Sequence, residues 1–446
     1  MLPLVVIKDT DYQNHLFDKL PYQKIFVEPN YESLKASLKD LDRVVVTWNS
    51  SAFLDVSIID RLSKERGEIL FIANLPEYME FEVWDTKLLT EVLEKYKKID
   101  KPLRNILSST ELDESLYFVD ILDRDIRMYR WDFDLRTYKG REMFERVVDE
   151  IDFSSNVVEQ LVSLISSKPF IITEIPSFYY IEISNVKVNT KYTPSWGKEV
   201  ENITEESFRK IINKVVDYSK TLGVMLGAFN EPIYNPRFNQ IIKEILNYKK
   251  SEISFILSTS LPELPDTLKE IYSETRDTKG FKGYPFFSIF VDIPSNRKEG
   301  FETLKELDYD KVMSNLNELL KIDPTRLYVK FVRSKYNDDI LPSFHKEYKN
   351  LNLIIQRPQI EEIVAVNTIL PYRLPCYKLH TTLVILPNGD VALCLNDTRL
   401  DNIIGNVLNE DVKDIANRKA DVLKKHFIND FSGICGRCVI WDQFDL

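Results

Sequence analysis

At 446 residues, with 44% hydrophobic and 29% charged side chains, the chain is long enough for two or three hydrophobic cores. Its 70 acidic and 59 basic residues leave a net charge of -11, which offers no attractive field to phosphate backbones or anionic lipid, so the expected partners are small molecules or proteins and neither nucleic acid nor membrane. No uncharged run approaches the roughly 18 residues a membrane span needs, and the opening MLPLVVIKDTDYQNHLF reads as a buried strand with no cleavable leader, so a cytoplasmic setting with reduced thiols is expected.

In chain order, the runs LPLVVI, KIFVE, RVVVTW and EILFIA have the length and β-branched content of strands, while DVSIIDRLSKE and DTKLLTEVLEKYKK have helical spacing. That alternation, over residues 1–165, predicts a parallel sheet flanked by helices. Over residues 166–374 six strand-like runs follow: SFYYIEIS, LGVMLG, EISFILST, PFFSIFVDI, RLYVKFV and NLIIQ. Helical patterns such as SFRKIINKVVDYSKTL and DKVMSNLNELLKI separate them. Six βα units predict a partial (β/α)6 barrel, and its ligand-facing residues are expected just after the strands. Glycine is scarce, at 12 residues, so any nucleotide site has to form without a glycine-rich loop.

The last stretch, residues 375–446, holds every cysteine: Cys376, Cys394, Cys435 and Cys438. Thiolates are the soft ligands of zinc and iron–sulfur clusters, and four of them complete a tetrahedral zinc site or one cubane. TTLVIL and DVALC read as a hairpin turning at Pro387, Asn388 and Gly389, which folds Cys376 and Cys394 toward each other. The two-residue spacing of Cys435 and Cys438 lets both sulfurs face one centre. Four ordinary buried thiols, or a redox disulfide between Cys435 and Cys438, are the competing readings. His380 and His426 stay outside the expected ligand set.

The C-terminal pattern carries a resemblance. Cys376, the run LVILPNGDVALC, the element IIGNV, the DVKDIA helix and the final CGRCVIW resemble the SPASM domain appended to radical S-adenosylmethionine (radical SAM) enzymes. The resemblance implies one auxiliary [4Fe-4S] cluster on Cys376, Cys394, Cys435 and Cys438, with zinc as the alternative occupant. The middle stretch resembles the radical SAM barrel, and IEISNVKVNTKYTPSW stands where that family places its three-cysteine loop. Val188, Tyr192 and Ser195 fall at the cysteine positions in one alignment, and Lys187, Lys191 and Pro194 in the alignment shifted by one; neither set contains a thiolate. LGAFNEPIYNPRF resembles the family's GGEP element, keeping Glu231 and Pro232 while Phe229 and Asn230 replace the glycines. By that resemblance Asn230, Glu231 and Asp292 form a degenerate S-adenosylmethionine rim, with Asn337 on the same side, and turn or cap roles compete for each. Cleavage of S-adenosylmethionine is not expected, and no catalytic residue is assigned.

VVVTWNSSAFLDVSIIDRL resembles a segment of cytidylyltransferase-type nucleotidyltransferases, with Asp55 at the family's aspartate; a helix cap is the other reading of Asp55. Together the three stretches resemble the spiro-SPASM family described from spirochaetes. That implies a nucleotidyltransferase-like α/β domain (1–165), a radical SAM-like partial barrel without its cluster motif (166–374) and a SPASM domain (375–446). The expected function is an iron–sulfur or zinc protein with a non-catalytic barrel, a pseudoenzyme that recognises or helps modify a peptide or protein. The alternatives are a transferase using a nucleotide or sugar nucleotide in the N-terminal domain, and a scaffold with a zinc-stabilised C-terminus.

Overall fold

The computed structural model describes residues 2–107, 117–122, 125–129, 131–168, 175–194, 196, 201–358, 364 and 373–438. The chain divides into two compact units, residues 1–174 and 175–446.

The first unit is built on a six-stranded sheet. Its strands are β1 (Leu4–Ile7), β2 (Lys24–Val27), β3 (Arg43–Trp48), β4 (Ile69–Ile72), β5 (Phe81–Asp85) and β6 (Tyr117–Asp120), in the order β2-β1-β3-β5-β4-β6. β1 is buried along its whole length, as a continuous LVVI run between two parallel neighbours requires. The expected parallel order holds for β2-β1-β3 and for β4-β6, but β5 runs antiparallel to both β3 and β4. The link from β4 to β5 carries only a short 3-10 turn, Glu77–Met79, and a parallel return would need a longer crossover. β5 also escaped the sequence reading because Glu82 interrupts it. That carboxylate is nearly enclosed, paired with Arg104 Nη1 at 2.7 Å and accepting the Trp84 indole N–H at 3.0 Å. The two expected helices form at Val56–Leu62 and Thr86–Tyr96, capped by Asp55 and Asp85, whose side chains each accept two backbone N–H groups of the first turn.

The second unit has a nine-stranded sheet in the order β12-β11-β10-β9-β8-β7-β13-β14-β15. The six expected strands appear as β7 (Phe178–Ile181), β8 (Leu222–Leu226), β9 (Ile253–Thr259), β10 (Phe287–Asp292), β11 (Leu327–Val332) and β12 (Asn352–Gln356), each parallel to its neighbours. Helix Glu205–Ser219, capped by Thr204, buries Phe208, Ile211, Ile212 and Val215, the i, i+3, i+4, i+7 stripe that packs on such a sheet.

The C-terminal hairpin is built into this sheet. β13 (Thr382–Ile385) lies parallel to β7, with Thr382 opposite Phe178 and Ile385 opposite Ile181; β14 (Asp390–Ala392) and β15 (Ile403–Asn406) follow as antiparallel neighbours. The expected turn closes with Leu386 N–H on the Asp390 carbonyl at 2.8 Å. Gly389 has φ +85°, and a Cβ there would stand 2.7 Å from Leu408 Cγ, so this turn needs glycine. Lys214 adds a second tie by donating to the carbonyls of Val407 and Glu410 at 2.7 and 2.8 Å.

Candidate functional site

Two places in the second unit gather the residues that carry chemistry. The first is the end of the barrel where β7 to β11 finish. Glu182 directly follows β7, and its Oε2 accepts the backbone N–H groups of Ala228 (3.3 Å), Phe229 (2.9 Å) and Asn230 (3.2 Å) and the indole N–H of Trp196 (3.0 Å). Three successive backbone donors converging on one oxygen form a nest for an anion, and the chain supplies that anion itself. Gly227, at φ +85°, makes the nest possible, because a Cβ would meet Pro232 Cγ at 2.3 Å. Burial pushes the Glu182 carboxyl up from its ordinary 4.5 to about 7 against the pull of those four donors.

Asn230 donates from Nδ2 to the Ser184 carbonyl at 2.7 Å. Glu231 is buried and caps the turn Pro232–Tyr234; it accepts from Thr259 Oγ1 at 2.5 Å and from the Ser260 N–H at 2.7 Å, joining the ends of β8 and β9. Burial also raises its carboxyl, against those hydrogen bonds. Asp292 closes β10. Its Oδ2 lies 2.9 Å from both Lys305 Nζ and the Tyr192 hydroxyl, and Lys305 also donates to the Asp292 carbonyl at 2.7 Å. Burial works to raise the Asp292 carboxyl, but the charges of Lys305 and Lys330 and its hydrogen bonds win and hold it below the ordinary range. Asn337 folds its own loop, with Oδ1 accepting from Ser334 N–H at 2.7 Å and Nδ2 donating to the carbonyls of Pro294 and Val332.

The three rim candidates therefore do come together, lining one small cavity with Val188, Phe229 and Lys330. Most of their hydrogen bonds go to this chain's own groups, while Asp292 Oδ1, like Glu182 Oε1, is buried without a hydrogen-bond partner among the described residues. Val188 and Tyr192, at two of the aligned cysteine positions, are buried, and Trp196 packs on Phe229 with ring centroids 4.6 Å apart. Ser195 lies outside the described residues. Sequence reasoning passed over Glu182 and Lys305. Glu182 had a visible signal, a lone carboxylate inside the apolar run FYYIEIS; Lys305, in the charged stretch ETLKEL, had none.

The second place is the thiol group. Cys376 caps helix Tyr377–Thr381, Cys394 follows β14, and Cys435 and Cys438 sit in and just after the turn Gly433–Arg437. The Cys394 thiol is pushed far above the ordinary range by burial and then by Cys438, Cys376 and Cys435, and Cys435 is raised to about 11 by burial and by Cys376 and Cys438. Asn396 Nδ2 donates to Cys438 Sγ at 2.9 Å, and the buried His426 accepts the Cys376 backbone N–H on Nδ1 at 3.3 Å. Among the described residues no three His, Cys, Asp or Glu side chains have the arrangement of a metal-holding group. The chemistry of the donor set fits a soft cationic centre. The thiolate forms of Cys394 and Cys435, disfavoured by burial and by the neighbouring sulfurs, would be stabilised by such a centre taking their charge.

Residues 376–439 match the family described as SPASM, an iron-sulfur cluster-binding domain. The chain carries a SPASM domain. That family is described as iron–sulfur cluster-binding, and the hairpin of the matched segment is joined to the six parallel strands β7 to β12. An uncharacterized protein of Treponema pallidum (strain Nichols) is 22% identical over 309 residues, spanning 64% of this chain and 84% of that protein. Among solved structures, Streptococcus suis SuiB bound to precursor peptide SuiA aligns at TM-score 0.44 and 11% identity, covering 75% of this chain and 78% of that one. Polyhistidine-tagged anSMEcpe with bound AdoMet aligns at TM-score 0.42 and 14% identity, covering 55% and 79%. Among the described residues no helix is long and apolar enough to cross a membrane.

Proposed function

We propose that Cys376, Cys394, Cys435 and Cys438 of the SPASM domain hold one [4Fe-4S] cluster, and that the barrel beside it does not cleave S-adenosylmethionine but recognises a peptide or protein. The observation that carries the reading is the state of the barrel mouth. The nest of N–H groups at Ala228, Phe229 and Asn230 is filled by Glu182, and Asp292 is bound by Lys305 and Tyr192. Val188, Tyr192 and Trp196 pack where a cluster-bearing loop would otherwise stand. Breaking those contacts would leave buried charges unpaired, a cost no incoming cofactor is built to repay. Asn230, Glu231 and Asp292 are thus internal anchors in this reading. Four thiolates saturate one cubane and leave no iron open to substrate, so the cluster's role is structural or auxiliary.

The test is anaerobic purification followed by iron, sulfide and zinc analysis and an assay for 5′-deoxyadenosine under reducing conditions. Four iron and four sulfide per chain, as one cubane requires, with no 5′-deoxyadenosine, is the expected result. Stoichiometric zinc would replace the cluster by the scaffold alternative, and 5′-deoxyadenosine formation would overturn the non-catalytic barrel.

One observation favours a second activity in the first unit. At the ends of β1 and β3, where the strand order reverses, Lys101 Nζ donates to Ser50 Oγ at 2.7 Å, and Ser50 donates to Asp9 at 2.5 Å. Such reversal points are where open α/β sheets place ligands. A nucleotide or sugar nucleotide bound there would raise the thermal midpoint at millimolar ligand by mass action; no shift sinks the transferase reading. Asp55 is not available for it: its carboxylate is buried and spent on the N–H groups of Ser57, Ile58 and Val158.

A further inference from the structure

The inner face of the half-barrel is aromatic and aliphatic, with Tyr180, Met225, Phe229 and Phe290 lining a cleft of about 680 Å3, its open mouth included. Lys330 interrupts that face from within the sheet, beside Ser258 of β9. Lys330 sits in β11, whose residues alternate strictly between buried and half-buried, and it shares the half-buried face with Tyr328 and Val332. Lys330 lines both this cleft and the smaller adjoining cavity bounded by Glu231 and Asp292. The one hydrogen bond its ammonium makes among the described residues is a long one, 3.3 Å to Ser258 Oγ, and no carboxylate lies within ion-pair distance of it among those residues.

The two carboxylates nearest it are already committed. Asp292 holds the 2.9 Å ion pair with Lys305, and Glu231 is bound by Thr259 and Ser260. Among the described residues Arg357 and Lys378 are the other charged residues of the cleft, and none of those lining it is acidic. A lysine kept half-buried on an apolar face loses hydration, and the attraction of Asp292, already paired with Lys305 and outside ion-pair distance of Lys330, returns only part of that loss, which leaves the ammonium open to a ligand's charge.

We infer that the cleft takes a carboxylate-bearing ligand with an aromatic or branched apolar body, the carboxylate on Lys330 and Ser258 and the body against Phe229 and Phe290. The ligand chemistry is that of an acidic side chain beside an apolar one in a peptide, or of a small aryl-alkyl acid. This rests on the reading of the barrel as a recognition element and names what it recognises.

The experiment uses the full-length protein purified anaerobically and two matched probe pairs: 3-phenylpropionate against 3-phenylpropionamide, and the blocked tetrapeptide Ala-Phe-Glu-Ala against Ala-Phe-Gln-Ala. Calorimetric titration is expected to show at least about a tenfold preference for the acid within one pair, as a hydrogen bond to a charged group confers. Added salt should narrow that preference, and Lys330→Met should abolish it while Lys330→Arg retains it. The pair with the tighter acid identifies the source as peptide or small molecule. Equal binding of acid and amide, or Lys330→Met with its preference intact, overturns the inference while leaving a recognition role standing. Absence of saturable binding by both acids also overturns it. The wild-type acid and amide comparison decides the matter even if Lys330→Met fails to fold, and iron and sulfide measured on the same sample report on the cluster reading separately.

Discussion

The barrel mouth and the SPASM thiols lie in the same unit and treat their charged groups in opposite ways. At the mouth the buried carboxylates of Glu182, Glu231 and Asp292 are answered largely from within, by backbone donors, hydroxyls and Lys305, with only Glu182 Oε1 and Asp292 Oδ1 of their oxygens left without a hydrogen-bond partner among the described residues. At the C-terminus the thiols of Cys394 and Cys435 are raised by burial and by the neighbouring cysteines, with opposing contributions from the Asn396 backbone at Cys394 and from Arg373 and Lys425 at Cys435. A polar site answered largely from within resists an incoming cofactor, whereas crowded, buried thiols are relieved by one. In the proposed reading the first is structural and the second carries the metal chemistry.

The largest expected effect tests the second half of this contrast. Cys435→Ser, or stripping the metal with chelator under anaerobic conditions, should remove the bound iron and lower the thermal midpoint by about 10 °C or more, as loss of a structural centre does. An unchanged midpoint with full iron content would show that Cys435 is not a ligand. Next comes Lys305→Met, which leaves Asp292 buried without its cation and should cost about 3–5 kcal/mol in denaturant titration. The double variant Lys305→Met with Asp292→Leu should recover much of that loss; equal costs for single and double variants would remove the charge argument.

Phe229→Gly restores a glycine at the loop and deletes the ring packed on Trp196, so a loss of about 3 kcal/mol is expected, without any gain of S-adenosylmethionine cleavage. The smallest effect is a pH dependence. Glu182 is raised from 4.5 to about 7 in the folded chain, so its contribution is fully present below about pH 4.5 and is lost as pH rises through 7. The loss is on the order of 3 kcal/mol, and Glu182→Gln, which still accepts the four N–H donors, should flatten the slope in urea titrations at pH 5 and pH 8. A wild-type curve flat across that range would mean that the nest holds an ordinary carboxylate.

Much of this was legible before any coordinates. The β-branched runs from β7 to β12 and the amphipathic helices between them specified the half-barrel, because period and length distinguish such elements. The cysteine spacing and the LPNGDVALC hairpin specified the SPASM pattern, through a turn that only glycine satisfies at Gly389. β5 was hidden by the acidic Glu82, whose partner Arg104 is far along the chain. The rim residues Asn230, Glu231 and Asp292 were found by position, but their partners were not, since Thr259, Ser260 and Lys305 become neighbours only when separate strand ends and a helix meet.

By itself the sequence determined the ligand chemistry, four thiols and none of them in the barrel loop, together with the order of the elements. Only the tertiary structure decided that β13 extends the barrel sheet beside β7, that Glu182 fills the nest after β8, and that Lys330 is left without an ion-pair partner among the described residues. The physical reason is that propensity and spacing act locally along the chain, whereas pairing of a sheet edge and compensation of a buried charge are settled between residues tens to hundreds of positions apart.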